Sequence, residues 1–198
     1  IYDTFIGSGI ALLASYSLFP TWEHEKLKEA MLDMLKANKS YFEQIVKLYF
    51  DKTYNRTEYK LARKEVYVST ANLASLFQRM FSEPKSKQLF IKEVHQFTAL
   101  SHLISSYTAT LSLYNKEHDF QTENFDSLKP IANNTIYLLD TSIENLEKRQ
   151  TTIDNVPLIR LSDTSLKVVT GEDLIPEQFD SIQKVAYDVY KLSVKLKI

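Results

Sequence analysis

The chain has 198 residues, with 24 basic and 25 acidic side chains, a formal charge of −1 and no cysteine. That length allows one sizeable core, or one domain with an appendage. The charge balance argues against a dedicated nucleic-acid binder, and the absence of thiols excludes disulfides, thiolate metal sites and cysteine nucleophiles.

Only three glycines and five prolines interrupt runs rich in Leu, Lys, Glu, Ala and Gln. Long helices joined by few turns follow from that composition, so the expected class is all-α. Residues 4–19, TFIGSGIALLASYSLF, carry no charge and end at Pro20. A spanning helix needs about 20 apolar residues, so this run reads either as a buried core helix or as a membrane helix. Gly7 and Gly9 suit close helix contact in lipid, and Trp22 stands where an interfacial aromatic belongs. These details favour membrane entry through residues 4–19. No basic segment precedes the run, which argues against a signal peptide.

A second helix is expected over residues 22–52, with Thr21 as its N-cap. Leu27, Met31, Met34, Asn38, Tyr41, Ile45 and Leu48 form its heptad-like seam. Asn55-Arg56-Thr57 makes the turn, and the Thr57 hydroxyl is the expected cap of the next helix. That helix, Tyr59 to Pro84, places Ala62, Val66, Ser69, Leu73, Leu76 and Met80 on one face at 4-3-4-3-4 spacing. Pro84 lacks an amide hydrogen and disfavours helix at Glu83, so the helix should stop there.

A fourth helix spans about Ser86 to Asn115, with Phe90, Val94, Phe97, Ser101, Ile104, Thr108 and Leu111 as its stripe. Leu100, Leu103 and Tyr107 widen that stripe, which suggests the centre of a bundle. Its many hydroxyls can bond to carbonyls one turn back, and a polar pocket is the sharper alternative. A fifth helix covers about Glu123 to Lys148, with Pro130 in its first turns. Residues 150–174 break the helical period, and near 156–169 either a small β-hairpin or an irregular loop is expected. Pro176 opens the last helix, whose inward face is Phe179, Ile182, Ala186, Val189, Ser193 and Leu196.

Two stretches carry a family resemblance. Asp3-Thr4, Ile6-Gly7, Leu18-Phe19-Pro20 and Trp22-Glu23 resemble the last transmembrane helix, and its exit, of the FUSC family. That family is the fusaric acid resistance and aromatic acid exporter group of bacterial inner-membrane proteins. Tyr59, Ala62-Arg63-Lys64, the alanines that follow, Met80 and Glu83-Pro84 resemble the helix opening the family's C-terminal cytoplasmic domain. The likeness covers roughly residues 1–115. It implies a last transmembrane helix at 1–20, a cytoplasmic bundle at 21–198, and an upstream membrane domain of the same protein. It also implies a location in the inner membrane and a part in efflux of aromatic carboxylic acids. The competing reading is a helical protein–protein interaction module with no transport role.

No catalytic constellation stands out, so no enzyme, cofactor or metal is expected. Glu93 and His95 point to different helix faces, and His95 and His102 are about 10 Å apart in rise, too far to grip one metal unaided. Both read as half-buried histidines; His24 and His118 read as solvated. Gly7-Ser8-Gly9 sits inside an apolar helix and cannot cradle phosphate there. Arg63 and Lys64 read as a solvated face, with an anionic lipid or ligand as the alternative. Five helices after Pro20 should form an antiparallel bundle, and the apolar area of residues 4–19 favours a homo-oligomer in water.

Overall fold

The computed structural model describes residues 2–17, 23–51, 54–117, 126–148, 156–159 and 174–196. Its helices are α1 (Tyr2–Ser17), α2 (Glu23–Val46), α3 (Arg56–Met80), α4 (Ile91–Glu117), α5 (Lys129–Lys148) and α6 (Leu174–Lys195). A wider π turn, Lys47–Asp51, continues α2, and one-turn 3₁₀ segments lie at Lys85–Lys87 and Asp126–Leu128. Among the described residues there is no strand. Residues 156–159 are irregular, and the remainder of the 156–169 stretch lies outside the described residues.

The six α3 positions read as its inner face are all buried, joined by Tyr59. They pack on α2. Tyr41 meets Tyr59, and the Ser69 and Thr70 hydroxyls reach the Met34 sulfur. Lys36 and Lys39 pair with Glu147 and Asp140 of α5, and Phe42 packs against Phe179 of α6. The seam reading of α2 therefore captured one of several packed faces; Leu35 and Phe42 are buried as well. As expected, α4 lies among several helices, packing on α2, α3 and α6, but its apolar residues do not all turn inward: Leu103 and Leu113 face outward.

Short connections make α2, α3, α4 and α5 alternate in direction. Lys47–Glu58 joins the end of α2 to the start of α3, and Lys28, in the front half of α2, donates to the Glu147 carbonyl at the end of α5. The last pair departs from the antiparallel rule. Asn145 of α5 bonds Ser193 of α6, so both helices end at the same level and run parallel. The chain between them, residues 149–173, is long enough to travel back. Its described part lies along α5, where the Asn134 amide donates to the Pro157 carbonyl at 3.1 Å.

Two boundaries differ from the sequence reading. The Asn55 side chain, not Thr57, caps α3 by accepting from the amides of Thr57 and Glu58. α3 ends at Met80 because Ser82 and Glu83 turn their amides back to Arg79 and Met80 in tight three-residue bonds. Gln88 then donates to the carbonyls of Phe81 and Glu83, fixing the turn around Pro84. Phe90, just before α4, has φ 58, the left-handed region that disfavours a bulky residue. Its ring packs on the core, and that burial offsets the backbone cost.

Candidate functional site

α1 is the exceptional element. Every residue from Tyr2 to Leu13 is exposed, including Phe5 at 72 %, Leu12 at 71 % and Leu13 at 68 %. A Cβ added at Gly7 or Gly9 would meet nothing within 4 Å. Over residues 4–13 the core-helix alternative is thus overturned: none of them is covered by the bundle. Among the described residues no helix is long and apolar enough to cross a membrane. The 16 residues of α1 rise about 24 Å, against a hydrocarbon core of about 30 Å.

A second surface lies along the first part of α3. Lys60, Arg63, Lys64, Tyr67, Val68 and Ala71 line a shallow groove of about 520 Å³ on the outer side of α3. Arg63 stacks over the Tyr67 ring at 5.6 Å, while Lys60 and Lys64 extend into solvent. The groove follows the first part of α3, whose start lies beside the end of α2. Another groove, about 290 Å³ between α2 and α3, mixes Lys26 and Arg79 with Glu29, Asp33 and Glu65. It presents no single-sign field.

Beneath the basic groove the Tyr41 and Tyr59 hydroxyls share a hydrogen bond of 3.1 Å. Burial, and then the Tyr59 hydroxyl, push the Tyr41 phenol well above its ordinary pKa. Burial does the same to Tyr49, whose hydroxyl donates to the Leu111 carbonyl at 2.8 Å. Lys39 is lowered by burial, but Asp140 and Glu43 more than compensate and leave it raised. Lys36 holds the Glu147 carboxyl below its ordinary value. These groups knit helices together; none has the paired acid–base geometry that catalysis requires.

The histidines are more exposed than the sequence reading had them. His95 lies against the Phe77 ring at 5.9 Å between centroids, and both His95 and His102 face solvent. The side chains of His24 and His118 lie outside the described residues. Among the described residues no group of three His, Asp or Glu side chains is placed to hold a metal. Three hydroxyls of α4 do what backbone competition predicts: Thr98, Thr108 and Thr110 each donate to a carbonyl four residues back.

Two known proteins are similar to this chain. The inner membrane protein YccS of Escherichia coli (strain K12) is 28% identical over 117 residues, 59% of this chain and 16% of YccS. A protein of Haemophilus influenzae, described only as uncharacterized, is 23% identical over 206 aligned positions, 93% of this chain and 28% of its own length. The chain thus spans less than a third of either relative. No family model matches it, and no solved structure does.

Proposed function

We propose that this chain is the C-terminal portion of a FUSC-type integral membrane protein of the bacterial inner membrane. In this reading α1 sits in the bilayer, and residues 21–198 form a cytoplasmic bundle that serves assembly or regulation. The whole protein exports aromatic carboxylic acids or related toxic compounds. The observation that carries the reading is α1, whose apolar side chains stay uncovered beside a bundle complete without them. Such an area in water is a site of association with lipid or protein. The similarity to an inner membrane protein supports the same reading. α1 alone, at 16 residues, is shorter than a bilayer core.

The competing reading is an interaction module in which α1 docks on a partner, and the shortness of α1 favours it. Vesicle flotation separates the two. The full chain should float with inner-membrane lipids and resist carbonate extraction, while a chain lacking residues 1–20 stays in the aqueous fraction. A full chain that remains aqueous overturns the membrane reading and leaves the module. Without detergent the full chain should form dimers or larger species through α1; a clean micromolar monomer in sedimentation counts against that. For the transport role, removing residues 21–198 from the intact reading frame should raise cellular accumulation of aromatic carboxylic acids. Unchanged accumulation overturns a part for the bundle in export.

A further inference from the structure

α3 sorts its charges by side. Its acids turn toward α2: Glu58 pairs with Lys47, and Glu65 lines the groove between the two helices. The bases of its first half turn the other way. Lys60, Arg63 and Lys64 line the shallow outer groove with Tyr67, Val68 and Ala71, and no acid shares it. Lys60, Lys64, Tyr67 and Ala71 each stand two positions before a buried residue, namely Ala62, Val66, Ser69 and Leu73. Two positions are about half a turn, so this row lies opposite the core. Arg56, exposed one turn before Lys60, extends the same side. Among the described residues none of Lys60, Arg63 and Lys64 forms an ion pair. Arg63 stacks instead on the Tyr67 ring.

A field of one sign selects an anionic occupant. Every residue lining the groove belongs to α3, so it has no second wall. A small molecule needs a concave site that covers most of its surface, and none is offered here. A broad surface needs no such wall. Leu61, Tyr67 and Val68 stand exposed among the cations. Long cationic side chains around a tyrosine and branched aliphatic groups suit a membrane interface, where the cations meet headgroups and the apolar groups enter the acyl boundary.

We propose that the outer side of the first half of α3 lies on an anionic lipid bilayer. Arg56, Lys60, Arg63 and Lys64 meet phosphate headgroups, and Leu61, Tyr67 and Val68 enter the interface. The contact rests on the membrane reading of α1, which brings the bundle within reach of lipid. It lays the bundle along the bilayer with α3 against it, instead of upright on the start of α2.

Flotation of the full chain tests this, with vesicles of phosphatidylcholine alone and with vesicles that also hold phosphatidylglycerol. α1 carries no basic residue, so its insertion gives no preference for anionic lipid. The α3 contact should make binding to the anionic vesicles about tenfold tighter or more, and salt should weaken that preference. Combining Lys60→Gln, Arg63→Gln and Lys64→Gln should abolish the preference. The same loss of charge at Lys148, Lys184 and Lys195, on α5 and α6, should keep it. Because the chain has no cysteine, Val68→Cys carrying an environment-sensitive fluorophore reads the contact directly. Its emission should shift to the blue on anionic vesicles, and this readout decides even if the triple variant does not fold. Equal binding to both vesicles without that shift overturns the α3 contact and leaves α1 in the membrane. Binding to anionic vesicles alone, with the shift, keeps the contact and overturns insertion of α1. A preference that survives the triple variant, or falls equally in the α5–α6 control, overturns the contact. No binding to either vesicle overturns both.

Discussion

α1 and α4 are both rich in apolar residues, yet the fold treats them in opposite ways. α4 buries Val94, Phe97, Ser101, Ile104, Thr108 and Leu111 along one stripe and keeps His95, Gln96 and His102 outside. α1 has no such division: Phe5, Ile6, Ile10, Leu12 and Leu13 lie on several faces, and all are exposed. Apolar content alone does not place a helix in a core. A stripe does, because a neighbour can cover one side while charges keep the other wet. A helix apolar all round, and left uncovered, awaits a different solvent or another chain.

The sharpest way to break the comparison is to truncate aromatic side chains on each side of it. Phe179→Ala removes the ring around which Phe42, Tyr49 and Phe50 gather, and should cost about 3–5 kcal/mol by urea denaturation. Phe5→Ala in α1 should leave the denaturation midpoint where it was. Equal losses for the two would show that α1 belongs to the core after all. Next come Leu73→Ala in α3 and Ile104→Ala in α4, both fully buried, at about 2–5 kcal/mol each. A change below about 0.5 kcal/mol, the size expected of a neutral surface substitution, would contradict their placement.

The cap offers a smaller effect. Asn55→Ala strips the amides of Thr57 and Glu58 of their acceptor and should cost about 0.5–2 kcal/mol, whereas Thr57→Ala costs less. Alkaline pH tests the buried phenols. Tyr41 and Tyr49 have folded pKa values raised above the ordinary 10.0. Their contribution is complete below about pH 10 and is lost as the pH climbs beyond it, because the unfolded chain then releases protons that the fold retains. Tyr41→Phe with Tyr49→Phe should flatten the fall in melting temperature above pH 10; an unchanged slope removes these phenols as its cause. The smallest effect belongs to α1 itself. Deleting residues 1–20 should leave a folded bundle with a near-native melt, and aggregation of the truncated chain would refute the division drawn here.

Much of this was legible in the sequence. The inner face of α3 followed from its spacing alone, since one partner covers one face and the period betrays it. α2 was legible only in part. A seam assumes a single partner, whereas α2 packs against α3, α4 and α5 and reaches α6 through Phe42, so Leu35 and Phe42 fell outside the pattern. Asn55 and Thr57 both carry capping chemistry, and only backbone geometry chooses between them. The parallel course of α5 and α6 depends on a connection whose length permits either direction.

The encirclement of α2 also sets a timetable. As the chain leaves the ribosome, α2 can pair with α3 at once, since Tyr41 and Tyr59 lie only 18 positions apart. Its bond from Lys28 to Glu147 waits for a partner 119 positions downstream, and the Phe42 face waits longer still, for α6. At about 5–20 residues per second that delay is roughly ten seconds, during which an apolar surface of the earliest bundle helix has no cover. A nascent chain of this design depends on whatever shields that face during synthesis, and stalling translation before α6 should leave it captured by chaperones instead of folded.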